Sequence, residues 1–477
     1  MRGFATHRSV DGAECASPRA TSVAPPHPRR TQPGLSVPTQ STPVDQRPGR
    51  QAAEVTRVEA EPVEILVDRL TEDIASVQLV TDPSGITTAV WEQGQQIFSA
   101  RTTADGHWGD PVGLAFGREP LAVVDAHARV TVVYHRLHGR GVVSRRWAGD
   151  RWGEALDLTW PGHADTFHTQ GYRIACNARG DTIVAWGQKN GHADWDEPRR
   201  LVAAFRPHDG AWQPTVRLAR RGMPDAVSVD EFGRAVVLSD SLLHRRTARG
   251  HWRLPIGAVT SVDLGAAVGN GAGDLLVVGL DLNQEDQPVR VHEHPAGGAW
   301  RPPVALGTTR WTTTTVPAVL DDAGRAAIAF PALDGSITVA TRPAQGSWTE
   351  PSTVSASDVR ARLPQLASAP DGSLAVTWIQ GVAAEPELWA AVRPAGHGWT
   401  APVQVTGAEW IWVTEPTIAF ATDGSVVALW AGEPTLSPWT RLASRKLRLA
   451  DGPQDSVLVG SQRSTSTTAA RSEASTK

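Results

Sequence analysis

The sequence predicts an all-β chain built from a repeated small antiparallel sheet, and three observations carry the prediction. The first is an Asp- or Asn-containing turn with Gly, followed six residues after the Gly by an aromatic. It reads D-P-S-G-I-T-T-A-V-W at Asp82–Trp91, N-A-R-G-D-T-I-V-A-W at Asn177–Trp186 and D-G-S-L-A-V-T-W at Asp371–Trp378. The second is a Gly-x-Trp turn with Pro two or three residues on, as in G-A-W-Q-P at Gly210–Pro214 and G-S-W-T-E-P at Gly346–Pro351. The third is the alternation of these two marks along almost the whole 477 residues. A period of roughly 40 to 60 residues holding four short strands is the signature of a β-propeller blade.

Aligned on its Gly, the first mark occurs eight times: at Gly85, at Ala128 in place of Gly, and at Gly180, Gly233, Gly273, Gly324, Gly372 and Gly424. Six residues further on stand Trp91, Tyr134, Trp186, Ser239, Gly279, Phe330, Trp378 and Trp430. Most are aromatic, and a large apolar residue locked to one repeat position is expected to pack one sheet on the next rather than to meet a ligand. The second mark supplies Trp108, Trp152, Trp212, Trp252, Trp300, Trp348 and Trp399. Each unit therefore reads as four strands. In the second unit these are Glu119–Val124, Val130–Tyr134, Val142–Arg146 and a strand after the Trp turn. Pro120, Pro224, Pro317, Pro364 and Pro416 are expected to open the first strand of their units, where a missing N–H donor is tolerated. The eighth unit has two strands in Pro416–Trp430 and a third at Arg441–Leu449, but no Trp turn. Its fourth strand is expected from the front of the chain, because E-P-V-E-I at Glu61–Ile65 resembles A-P-V-Q-V at Ala401–Val405. Sharing that blade between the two ends of the chain would close the array and remove exposed sheet edges. The expectation is a single propeller of eight four-stranded blades, with seven if the eighth unit is degenerate.

Residues 1–52 are rich in Pro, Arg, Ser and Thr without a hydrophobic period, and residues 461–477 are a polar Ser/Thr-rich run. Both are expected to be disordered, which leaves the propeller to residues 53–460. Residues 1–50 carry seven Arg against three acids, and residues 440–477 seven Lys or Arg against three acids. With −4 overall, the residues between carry −12, which argues against binding nucleic-acid backbones. The basic ends are expected to be plainly solvated. No apolar run is long enough to span a bilayer, so no membrane partner is expected, and the chain is expected to be monomeric. Cys15 and Cys176 offer no disulfide framework. The start lacks the apolar segment of a signal peptide, so a cytoplasmic location is the default, with export if translation begins elsewhere.

The connections between second and third strands, and from one unit to the next, vary widely and emerge at one end of an up-and-down unit. That end is the expected binding face. Trp160, Trp195, Trp311, Trp410, Trp412 and Trp439 fall in these connections, outside the repeat. An exposed indole beside carboxylates offers an apolar face to a sugar ring and acceptors to its hydroxyls. The expected ligand-binding residues are Trp160, Asp165, Trp195, Asp196, Trp311, Trp410 and Trp412; the alternative is that such Trp plug a central channel or anchor their own loops. His163, Asp165 and His168 share one loop, and His292 and His294 share one strand face, but neither group makes a complete zinc set. Asp281, Asn283 and Glu285 begin like a calcium loop that then fails, with Asp286 where Gly is needed and His292 where Glu is needed. No metal and no cofactor are expected. The chain has no G-x-S-x-G elbow, no phosphate-cradling Gly loop and no H-E-x-x-H. Glycoside cleavage needs only two carboxylates facing one pocket, for which the loop acids are Asp194, Asp196, Glu197, Glu285 and Asp286.

The alternating Asp–Gly hairpins and Trp turns resemble the sialidase-like propellers and their Asp-box relatives over about residues 60–460. The Ser-x-Asp-x-Gly-x-x-Trp pattern is not reproduced, D-P-S-G-I-T-T-A-V-W being the nearest. The resemblance implies the propeller fold. A sialidase activity would further imply an Arg triad, a Tyr–Glu nucleophile pair and an acid Asp. Tyr134 fills a repeat slot, leaving Tyr172, beside Arg173, as the candidate nucleophile. Together these observations favour a non-catalytic protein that binds a glycan or protein ligand through its loop face, with a glycoside hydrolase as the alternative.

Overall fold

In the computed structural model the described residues are 57–70, 72, 74–137, 141–159, 169–189, 199–257, 263–280, 286–310, 316–382, 386–407, 409–435 and 439–450. Every regular element among them is a β-strand, and every pairing is antiparallel to a neighbour close in sequence except at the last sheet. Five four-stranded sheets follow one another, opening with Thr169–Cys176, Ala226–Val229, Asp263–Gly269, Ala318–Leu320 and Arg362–Ser368. The second strand of each is buried on both faces, which is why runs such as T-I-V-A-W-G-Q at Thr182–Gln188 read as continuously apolar rather than alternating.

Upstream of these, seven strands form one continuous sheet. Val112–Val124 runs from the first unit into the second: its first half pairs with Gln96–Arg101 and its second half with Val130–Arg136. The strands expected at the end of unit one and the start of unit two are thus a single thirteen-residue strand. The last sheet contains Trp410–Phe420, Val426–Pro434 and Thr440–Leu449, and on the outer edge of Thr440–Leu449 lie both Val58–Ala60 and Glu64–Leu70. The N-terminal segment therefore does supply strand to the eighth unit, in two pieces with Glu61–Val63 between them.

The turn chemistry explains the first mark. Its seven glycines have φ between 72° and 99°, and Ala128 adopts φ 59° in the same slot. The acidic residue at the head of the turn caps it: Asp82 Oδ1 accepts from the backbone N–H of Ser84 and Ile86, and Asp230 Oδ1 from Phe232 and Arg234. The prolines require a correction. Only Pro224 and Pro317 stand ahead of a first strand; Pro120, Pro364 and Pro416 lie inside one, each within a register shift (Arg118/Leu121, Arg362/Gln365 and Thr414/Thr417). A bulge takes one residue out of the ladder, so the missing N–H costs nothing there.

The apolar interior divides into eight clusters, each drawing residues from two neighbouring units. The repeat aromatics are their centres: Trp91, Trp186, Trp378 and Trp430 are fully buried, Tyr134 and Phe330 nearly so. Each such side chain removes on the order of 200 Å² from water, worth roughly 5 kcal/mol. One cluster joins Trp91 of the first unit to Leu429, Ala431 and Leu442 of the last. The Trp of the second mark lie half-buried over the same seams, and three reach back to the preceding sheet. Trp108 Nε1 donates to Ser444 Oγ (2.8 Å), Trp212 Nε1 to Ser144 Oγ (3.1 Å) and Trp348 Nε1 to Glu293 Oε1 (2.7 Å). The first strand of each unit lies against the first strand of the next, and Trp410–Phe420 lies against Ile74–Thr81.

Candidate functional site

Of the sequence-predicted site residues, Trp160, Asp165, Trp195, Asp196 and Trp311 lie outside the described residues, as do His163, His168, Asp194, Glu197, Asp281, Asn283 and Glu285. Trp410 and Trp412 open the first strand of the eighth unit. Two residues apart on a regular strand they would share a face, but a register shift separates them. Trp410 turns inward, 5% exposed, with its ring edge-on to Trp430 at 5.4 Å. Trp412 is 44% exposed and is the register partner of Glu433, and Ile411 beside it in the strand and Trp439, just ahead of Thr440–Leu449, are also exposed. The bulge thus makes one indole structural and presents the other to solvent.

Tyr172 is buried and stacked on His135, and its hydroxyl donates to the Arg118 carbonyl at 3.3 Å. Burial pushes its pKa well above the ordinary phenol value. Such a hydroxyl is a packing group and not a nucleophile. Arg173 is spent on backbone carbonyls, those of Asp225 and Tyr172. Asp225 has a different character: burial, reinforced by the nearby Asp240 carboxylate, raises its pKa to about 6. His292 and His294 are both buried, and burial lowers both pKa values. Among the described residues no three His, Cys, Asp or Glu side chains converge as a metal site.

The opposite end of the strands, where the short turns lie, carries a second repeated feature. The third strand of each of the first seven units ends on a basic side chain: Arg101, Arg146, Arg206, Arg246, His294, Arg342 and Arg393. Several bridge two sheets. Arg206 donates to Thr131 of the preceding unit (2.8 Å) and to Thr182 (3.0 Å), Arg246 to Gln213 (2.9 Å), and Arg393 to Thr341 (3.2 Å). Aromatic rings lie under the guanidinium groups, Trp212 at 5.0 Å from Arg206 and Phe205 at 3.6 Å from Arg246. Burial lowers the Arg206 pKa to about 10.

Clefts open between neighbouring sheets at this end. One of about 720 Å³ lies between the fourth and fifth units, one of about 300 Å³ between the sixth and seventh, and one of about 410 Å³ between the eighth and first. The turn carboxylates beside them are engaged. Asp230 binds Arg234, Asp321 binds Arg325 (2.6 Å) and Asp423 binds Lys446 (2.9 Å). For Asp423 burial acts upward, but the Ser425 and Lys446 hydrogen bonds outweigh it and hold the carboxyl at about 2. These groups cap turns and neutralise arginines. The two turn marks do not advertise the clefts; the sequence signal for them is the basic residue that closes successive third strands.

No family model matches the chain, and no curated protein matches it. Similar solved structures include virginiamycin B lyase from Staphylococcus aureus, at 11% identity over 83% of this chain and 100% of that chain, TM-score 0.41. They also include the Aleuria aurantia lectin in complex with Fucα1-6GlcNAc, at 15% identity over 67% and 96%, TM-score 0.35. The leech intramolecular trans-sialidase is 8% identical over 83% and 95%, TM-score 0.35.

Proposed function

We propose that residues 53–460 form one β-propeller of eight blades, closed by the N-terminal strand, and that the protein is a non-catalytic recognition module. The closure is supported by the interior cluster shared between Trp91 and Leu442 and by the pairing of Glu64–Leu70 with Thr440–Leu449. The ligand is a glycan or a protein bound at the loop end, without nucleic acid, membrane or cofactor, by a monomer. The observation that carries the reading is Trp412, an exposed indole whose cross-strand partner is the acidic Glu433. A pyranose ring stacks on such a face while the carboxylate accepts from its hydroxyls, and an indole gives a protein ligand the same anchor.

One observation favours glycoside hydrolysis as a second reading. Asp225, at the loop end of the fourth unit, has its pKa raised to about 6 by burial and by Asp240, as a general acid requires. The two readings separate on glycan-array binding and chromogenic-glycoside turnover by the full-length protein. Recognition predicts saturable binding that falls at least about tenfold in Trp412→Ala, roughly the loss of one stacked aromatic anchor. Turnover that vanishes in Asp225→Asn while binding persists would replace recognition with catalysis. A blank array on folded protein would direct the search to protein partners.

A further inference from the structure

The 720 Å³ cleft between the fourth and fifth units differs in charge from equivalent places in the repeat. In units three to seven, a residue on the third strand accepts at its backbone C=O from the N–H of a residue eight positions on, so the two stand cross-strand. The pairs are Phe205 with Gln213, Arg245 with Arg253, Glu293 with Arg301, Thr341 with Thr349 and Val392 with Thr400. Neutral or oppositely charged partners occupy four of these five slots. The fourth unit alone among them places two arginines in the slot, and like charges directly opposite on neighbouring strands are destabilising until an anion relieves them.

Both arginines line the 720 Å³ cavity and both are exposed. Neither has an ion pair or side-chain hydrogen bond among the described residues. The single carboxylate lining the cavity, Asp230, is engaged by Arg234. The opposing sheet contributes His294, 6% exposed, whose ring meets Trp300 edge-on at 5.1 Å and whose buried Nδ1 has no hydrogen-bond partner. The rest of the lining is largely apolar, from Val236, Leu254, Pro255, Ile256 and Ala296.

We propose that the cleft between the fourth and fifth units binds a small organic anion. Its carboxylate or sulfate group is clasped by Arg245 and Arg253, and its body lies on Leu254 and Ile256. Guanidinium pairs suit this task because each offers a planar fork of donors to two anionic oxygens. The site sits at the short-turn end of the strands and is independent of the loop-end reading, so either can fail alone.

The test is calorimetric titration of the full-length protein with benzoate, phenyl sulfate and, as the uncharged control, benzyl alcohol. The expected result is saturable binding of one or both anions, weakened at least about tenfold in the Arg245→Gln/Arg253→Gln double variant and unchanged in Arg301→Gln. The preferred probe then identifies the anionic group. Raising salt to about 0.5 M should weaken the interaction, since the arginines are exposed. The double variant changes surface residues, and its melting temperature in the absence of ligand is expected to rise as the cation pair is removed. Equal binding of the neutral control, affinity unchanged in the double variant, or no saturable binding by any probe would overturn the proposal.

Discussion

Glu293 joins the fifth sheet to the sixth, and its removal gives a test of how the sheets are held together. The carboxylate is 8% exposed. It accepts from Arg301 Nη1 at 2.7 Å on its own sheet and from Trp348 Nε1 at 2.7 Å on the next. It also lies 3.0 Å from Nε of Arg342, which is itself buried. That Nε–H makes no directed hydrogen bond, so Arg342 contributes charge rather than geometry. Glu293→Ala deletes both acceptors and strands the Arg342 guanidinium without a counter-charge, and breaking a buried pair from one side costs about 3–5 kcal/mol. Glu293→Gln retains one acceptor for the Trp348 indole but loses the charge and the second oxygen that accepts from Arg301, so its cost should be lower, about half. Urea unfolding followed by Trp fluorescence measures both, and a double-mutant cycle with Arg342→Met should return a coupling of about 1.5–3 kcal/mol. A loss below about 1 kcal/mol for Glu293→Ala, or equal losses for Ala and Gln, would refute the reasoning.

Other predictions concern titrating groups and the buried tyrosine. Asp225 holds a folded pKa of about 6 against roughly 3.9 when unfolded, so the native state binds the extra proton between those values. Stability should therefore fall by about 1–3 kcal/mol as pH rises from 4 through 6, and Asp225→Asn should remove that part of the slope in a pH series of urea midpoints. Cys176 donates to the Val124 carbonyl, and burial, then the Asp125 charge, push its thiol up to about 12. In a Cys15→Ser background it should resist a thiol reagent at pH 8 until denaturant is added. Tyr172→Phe loses one 3.3 Å hydrogen bond to Arg118, so it should cost about 1 kcal/mol in unfolding and leave ligand binding untouched in titration.

The fold was legible in the chain to the degree that backbone geometry constrains residue type. A left-handed turn position demands Gly, and the seven glycines and Ala128 of the first mark take that conformation. Strands that lie between two sheets must be apolar on both faces, which made segments such as Val130–Tyr134 readable as part of the observed Val130–Arg136. Bulges were not legible. They separated Trp410 from Trp412 and brought Pro364 and Pro416 inside strands, because a bulge is set by register against a partner strand that no local pattern names. The inter-sheet clefts were hidden for a related reason. Arg245 and Arg253 look ordinary in isolation, and their shared exposure and the missing acid become visible only when equivalent slots such as Glu293 and Arg301 are compared.

The strand at Glu64–Leu70 has a consequence in time as well as in space. Its partner Thr440–Leu449 is the last strand among the described residues, and the contact of Asp68 with Arg441 spans 373 residues of chain. At roughly 5–20 residues per second, the early strand waits on the order of 20–75 s before its place in a sheet exists. Through that interval Ile65, Leu66 and Val67 are an unpaired apolar edge, interrupted only by the charges of Glu64, Asp68 and Arg69. A strand made near the start of synthesis is thus among the last to be docked.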